Sequence, residues 1–282
     1  MISDRSRLAA LILAVLYGAL GALLFVAPGW GSGVFAWNVS PMVAMTIGGW
    51  CLGNAWAALM IFRRPALRLA ASGLVYLSLF GILESGVLVA FLDKLKTGTW
   101  LAWLYLATLG FNVVAAVLWV PEWRNWLSGA GQGDPGRARL GTTGRVLGVV
   151  FVLFVGFLGL YGLFAPAGSR GLSGGIFPQV ISMFTLRAFG ALYLSVALAP
   201  ILLILTRDFE TVLGHIVLSW GLIFFITVAA FVFISEFDLV ARPGQLLYFG
   251  AYILVGAVTG FYLFRYGPGR ADGDPAPRLP RD

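Results

Sequence analysis

Residues Leu8–Ala27 read LAALILAVLYGALGALLFVA, and from Leu8 as far as Phe62 no Asp, Glu, Lys, Arg or His interrupts the chain. A soluble domain cannot hide that much uncharged sequence. A spanning helix, by contrast, needs about 20 mostly apolar residues. Working outward, the same texture recurs across the 282 residues: 60% are hydrophobic and 11% charged, against about 25% charged in an ordinary globular domain. The runs are far longer than the 9–11 residues of a barrel strand, and only helices satisfy their backbone within one segment in lipid. The sequence therefore predicts an all-α polytopic membrane protein.

Eight spans are expected, over 8–27, 41–62, 69–92, 99–120, 146–165, 179–205, 211–235 and 244–264. Met1–Arg7 resembles the basic start of a signal peptide, but the apolar run behind it is long and Phe25–Gly29 is a poor cleavage context, so an uncleaved first span is expected. With eight spans, one face carries Arg5, Arg7, Arg63, Arg64, Arg68, Arg124, Arg137, Arg139, Arg145, Arg207, Arg265, Arg270, Arg278 and Arg281. The other carries Lys94, Lys96, Arg170 and Arg242. Positive charge marks the cytoplasmic side, so both termini are expected in the cytoplasm of a bacterial inner membrane. The formal net charge of +7 thus acts as a topology signal, and nucleic acid is excluded as a partner.

Two halves are expected. Residues 1–121 form the first four-helix half, 122–145 a cytoplasmic linker rich in glycine at Gly129–Gly136, 146–266 the second half, and 267–282 a disordered cytoplasmic tail. Gly18, Gly21 and Pro28 match Gly156, Gly159 and Pro166 at an offset of 138; Pro41, Gly53 and Trp56 match Pro178, Gly190 and Tyr193 at 137. Four spans per half would make the copies parallel repeats about an axis along the membrane normal.

Chemistry-bearing residues are few. Cys51 and His215 are each the only residue of their kind, so no disulfide, cysteine metal site or two-histidine haem site can form within the chain, and no metal ligands are assigned. Ionisable groups inside a span are costly and serve as functional candidates; Glu84 in the third span and Arg187 in the sixth are the clear cases. Counted from Asp93 and from Pro178, both lie nine residues from the outer face, about 13 Å deep at 1.5 Å per residue, so an intramembrane charged pair is expected. A structural pair and a solute or proton site are both compatible with it. Asn54, Asn112 and His215 are candidate polar interior contacts: the asparagines as hydrogen-bonding glue between helices, the histidine near the inner surface. Gly49/Gly53 and Gly256/Gly260 are GxxxG pairs, read as packing within the chain or, alternatively, as a dimer face. Trp30, Trp37, Trp100, Trp103, Trp119, Trp123 and Trp126 are assigned to interfacial belts. Asp93, Glu236 and Asp238 are read as solvated helix ends. There is no phosphate loop, zinc motif or nucleophile elbow, so no catalytic residue is assigned and the cofactor is unknown.

The segment Leu186-Arg187-Ala188-Phe189-Gly190-Ala191-Leu192, after a span ending in Ala-Pro-Gly-like sequence and an outer loop, resembles the small four-helix membrane proteins of the DoxX-like kind, which carry Arg-x-x-Gly-Ala here. The first half, with Trp50-Cys51-Leu52-Gly53-Asn54, departs from that pattern at the arginine. The resemblance implies a tandem of two such modules, with Arg187 as a structural signature, and an association with quinone-linked oxidation or membrane redox complexes. Three roles therefore stand open: a structural or accessory component with a membrane-protein partner or a second copy, a small-solute transporter with Glu84 and Arg187 on its path, and a DoxX-like redox subunit.

Overall fold

The computed structural model describes residues 1–64, 66–130, 141–165, 178–201 and 209–266. Among these there are helices and no strands. The α-helices are α1 (Asp4–Val26), α2 (Pro28–Val34), α3 (Pro41–Arg63), α4 (Leu67–Ala90), α5 (Trp100–Leu118), α6 (Val120–Ala130), α7 (Thr142–Phe164), α8 (Met183–Leu198), α9 (Phe209–Val232) and α10 (Gln245–Tyr266). Short 3-10 turns at Leu92–Lys94 and Ile234–Glu236 follow α4 and α9.

Local chemistry sets the starts. The side chains of Ser3, Ser40, Thr99 and Ser182 accept hydrogen bonds from Ser6, Val43, Ala102 and Thr185 backbone N–H groups, capping α1, α3, α5 and α8. Each cap satisfies one of the donors that a helix N-terminus leaves free. Pro41 adds a preset backbone angle at the first position of α3. α1 stops just before Pro28, which has no N–H with which to continue it.

Among the described residues, six helices are long and apolar enough to cross a membrane: α1, α3, α4, α5, α7 and the Thr211–Val232 part of α9. The other two expected spans correspond to shorter apolar helices, Met183–Leu198 and Phe249–Arg265. The expected 179–205 span thus opens at Met183, because the Ser182 cap and not Pro178 starts the helix. Within the expected 122–145 linker, Val120–Ala130 is helical and α7 begins at Thr142. Composition missed an amphipathic helix: Trp126 is buried on Ala71, with Leu67 and Val212 beside them. Most of the glycine-rich stretch, and the 267–282 tail, lie outside the described residues.

The long helices pack in pairs, α1 on α3 and α4 on α5, then α7 on α8 and α9 on α10. The halves join through α3 against α9 and α4 against α8, with α4 also crossing α9. Gly49 and Gly53 lie on Phe225 and Leu222 of α9, and Gly256 and Gly260 on Ile223 and Trp220. Both GxxxG pairs therefore serve packing within the chain.

Element bounds recur at fixed spacings. α1 and α7 each have 23 residues, 138 positions apart. α4 and α9 each have 24, 142 positions apart. The caps Ser40 and Ser182 share the 142 spacing. So do the close approaches: a Cβ on Gly48 would stand 2.7 Å from Phe25 N and 3.0 Å from Gly21 O, and one on Gly190 2.4 Å from Leu163 N and 2.9 Å from Gly159 O. The glycine in the place of Gly190 is therefore Gly48, not Gly53 as the sequence comparison at 137 had it. The residue 142 positions before Arg187 is Met45.

Candidate functional site

The first half encloses a polar interior within an apolar shell. Glu84 is 2% exposed on the inward face of α4, and its Oε1 accepts a 2.9 Å hydrogen bond from the Tyr105 hydroxyl of α5. Its Oε2 is buried without a partner. Around it lies a cavity of about 20 Å³, room for about one water, lined by Tyr17, Trp37, Trp50, Cys51, Phe80 and Tyr105 among others. Two further bonds tie its helices together. The Tyr76 hydroxyl donates to Asn54 Oδ1 at 2.6 Å, joining α4 to α3, and Asn112 Nδ2 donates to the Tyr17 hydroxyl at 2.7 Å, joining α5 to α1. Asn54 and Asn112 thus hold helices together through tyrosines. Neither is fully satisfied, since Asn54 Nδ2 and Asn112 Oδ1 are buried without partners, as is Trp50 Nε1.

An aromatic layer covers this interior on the outer side. Trp37 stacks on Phe184 of α8 (centroids 4.2 Å apart), and Phe184 stacks on Phe91 (5.1 Å). Trp37 Nε1 donates to Thr185 Oγ1 at 3.0 Å, so one wall of the first-half cavity is anchored by the second half.

The expected charged pair of Glu84 and Arg187 does not form. The Arg187 guanidinium donates instead to Gly162 O (2.9 Å) and Ala165 O (2.6 Å) at the end of α7. Two facts explain the correction. Arg187 is the fifth residue of α8, about one helical turn from its start, whereas Glu84 lies six residues before the end of α4, so the two do not stand at matching positions in their helices. Next to Arg187, the last turn of α7 presents carbonyls with no intrahelical donor and the negative end of the helix dipole, both of which suit a cation. In the first half the matching carbonyl, Ala27 O, accepts from Gly31 N of α2 at 2.8 Å, and Met45 suffices where Arg187 stands.

His215 bridges α9 to α4, with its Nδ1 2.6 Å from Ser72 Oγ and its Nε2 3.3 Å from Ser219 Oγ. At the inner end of the first half, Glu122 accepts from Ser3 N and from Ser6 Oγ, both at 2.9 Å, while Trp119 Nε1 donates to Ser6 O. Burial pushes the Glu122 carboxyl up, but the hydrogen bonds of Ser3 and Ser6 and the nearby N-terminal ammonium outweigh it and hold the group below the usual glutamate range. At the outer side, Asp93 pairs with Lys94 at 2.8 Å, which lowers the Asp93 carboxyl; Glu236 accepts from the Gln179 amide, and Asp238 caps the following turn through Ala241 N. These acids are local helix-end partners.

Of the tryptophans assigned to belts, Trp30, Trp100 and Trp103 are exposed, while Trp37, Trp119 and Trp126 are buried within the protein. The sequence reading also missed Tyr17, Tyr76 and Tyr105 as partners of the polar candidates. Their signal was available: Tyr17 and Tyr76 stand in the body of their helices, away from the interfaces where tyrosine usually collects. Among the described residues no group of three or more His, Cys, Asp or Glu is placed to hold a metal ion.

Compared with protein-family models, with curated proteins and with solved structures, the chain matches none.

Proposed function

We propose that this chain is an accessory subunit of a bacterial inner-membrane complex, built from two parallel four-helix modules fused in tandem, with eight spans and both termini in the cytoplasm. The recurring spacings of 138 and 142 support the duplication, in keeping with the DoxX-like resemblance, and the bias of arginine and lysine towards one set of loops supports the orientation.

One observation carries the accessory role. α7 packs chiefly on α8, and its buried residues are only Val155, Gly159 and Gly162. Its outward residues, including Leu153 and Phe157, remain 68% and 64% exposed. In lipid such a face is not itself a liability, but helix association there rests on close packing and interhelical bonds, and α7 leaves most of its surface for a partner helix. Arg187, which would have to line a solute path in the transporter reading, is spent on the end of α7 and does not line the Glu84 cavity.

A photo-crosslinking residue at Leu153 or Phe157 tests this in intact membranes, with Val15 of α1, also exposed, as the comparison site. Protein adducts from α7 and not from α1 are expected. Lipid adducts alone at all three sites would remove the accessory role. Reporter fusions after Arg64, within Gly129–Gly136 and after Arg270 should all read cytoplasmic, and a periplasmic signal at any of them would break the topology.

A further inference from the structure

The accessory role leaves the interior of the first half unexplained. A carboxyl group 2% exposed, with one oxygen buried and unpartnered, faces a cavity walled by the rings of Tyr17, Trp37, Trp50, Phe80 and Tyr105. A buried carboxyl oxygen without a donor is costly unless something else satisfies it. Glu84 receives one hydroxyl, and it lines that cavity together with the aromatic rings. Charge balance in a bilayer interior requires such a carboxyl to carry a proton or to face a cation. Arg187 does not supply that cation, because its guanidinium is held on the α7 carbonyls.

We propose that the cavity around Glu84 binds a small protonated amine, of which ammonium is the simplest member, held between the free carboxylate oxygen and the surrounding aromatic rings. Three features select this class. Aromatic faces attract ammonium-type cations through the ring quadrupole, more strongly where water is excluded. Hard metal cations instead require several oxygen ligands, six to eight for calcium, and here the carboxylate is joined by phenols already engaged with Glu84 and Asn112. The volume, about 20 Å³, admits a species the size of one water, as ammonium is, and excludes bulky organic cations. This site lies in the first half and is independent of the partner face proposed on α7.

The test uses the purified full chain in detergent and isotope-labelled ammonium as the probe. Saturable binding near one per chain is expected, displaced by unlabelled ammonium and not by equal sodium or tetraethylammonium. Glu84→Gln, nearly the same shape without the charge, should weaken binding by about tenfold or more, the equivalent of about 1.4 kcal/mol. Trp37→Leu should weaken it by about fivefold through loss of one ring. Circular dichroism and elution volume show whether each variant is folded. Absence of saturable binding by the wild-type chain overturns the proposal. So does displacement by sodium as effective as by ammonium, or binding undiminished in a folded Glu84→Gln chain.

Discussion

The two halves share the lengths of α1 with α7 and of α4 with α9, yet they build different interiors. In the first, α1 packs on α5 as well as on α3, and the Asn112–Tyr17 bond crosses that seam. In the second, α7 packs chiefly on α8, and α9 on α10. Residue identities at matching positions account for the contrast. Where the first half has Glu84 and Tyr76, the residues 142 positions on are Ile226 and Leu218; where it has Tyr17, the residue 138 positions on is Val155. Without these polar groups the second half has no counterpart of the bonds at Tyr17 and Glu84, although the Tyr193 and Tyr252 hydroxyls, 2.8 Å apart, still join α8 to α10. Lipid tails are as apolar as the side chains that remain, so little force drives the second half to close on itself. The lesson is that, in this fold, a few buried polar contacts distinguish a module with an interior site from one with an outward face.

The largest expected effect probes what the halves share. Gly48→Ala and Gly190→Ala each place a methyl against the backbone of the preceding helix, at 2.7 Å and 2.4 Å. Each should destabilise its half by about 1–3 kcal/mol, as overpacking does, read as a fall in the unfolding midpoint in mixed micelles. Gly110→Ala, with open space around it, should be neutral. If only one of the two mattered, the close approaches would not be equivalent and the comparison would fail.

Arg187 separates the halves next. Arg187→Met installs the residue found at the matching position and leaves the Gly162 and Ala165 carbonyls without their donor, for a loss of about 1–2 kcal/mol. Combined with Glu84→Gln, the stability changes should add to within about 0.5 kcal/mol, because the two residues have separate partners. Marked rescue in the double variant would restore the ion pair that the geometry excludes.

Tyr17→Phe sharpens the account of closure. Loss of the hydroxyl that receives Asn112 should cost about 0.6–2 kcal/mol and let the α1–α5 seam loosen, seen as faster labelling of Cys51, which is buried beside it. Unchanged labelling would mean that apolar packing alone closes the first half.

The smallest effect is a pH dependence that only the first half should carry. The folded Glu122 carboxyl lies below its ordinary value, near about 4.3 when unfolded. Its contribution is therefore fully present above that value and is lost as pH falls through the lower folded value. Stability of the wild-type chain should decline more steeply below about pH 4 than that of Glu122→Gln, and equal slopes would remove Glu122 from the inner clasp.

The sequence by itself determined that the chain is helical and suited to lipid, because the length and apolarity of a segment are local properties read directly from residues such as Leu8–Ala27. It also exposed the residues that carry the interior chemistry: Glu84, Arg187, Asn54, Asn112 and His215 are conspicuous wherever nearly everything else is apolar. Which of them meet was decided only by tertiary structure. Depth along a helix can be counted, but the azimuth of a side chain and the true first turn depend on caps and neighbours; Ser182 moved the start of α8, and the α7 carbonyls captured Arg187. The register between the halves was likewise hidden, since glycines recur too often in apolar helices for Gly48, packed on α1, to be told from Gly53, packed on Leu222 of α9, before their neighbours are known. The mid-helix tyrosines escaped for the same reason: a hydroxyl's partner belongs to another helix, and no single helix's sequence names it.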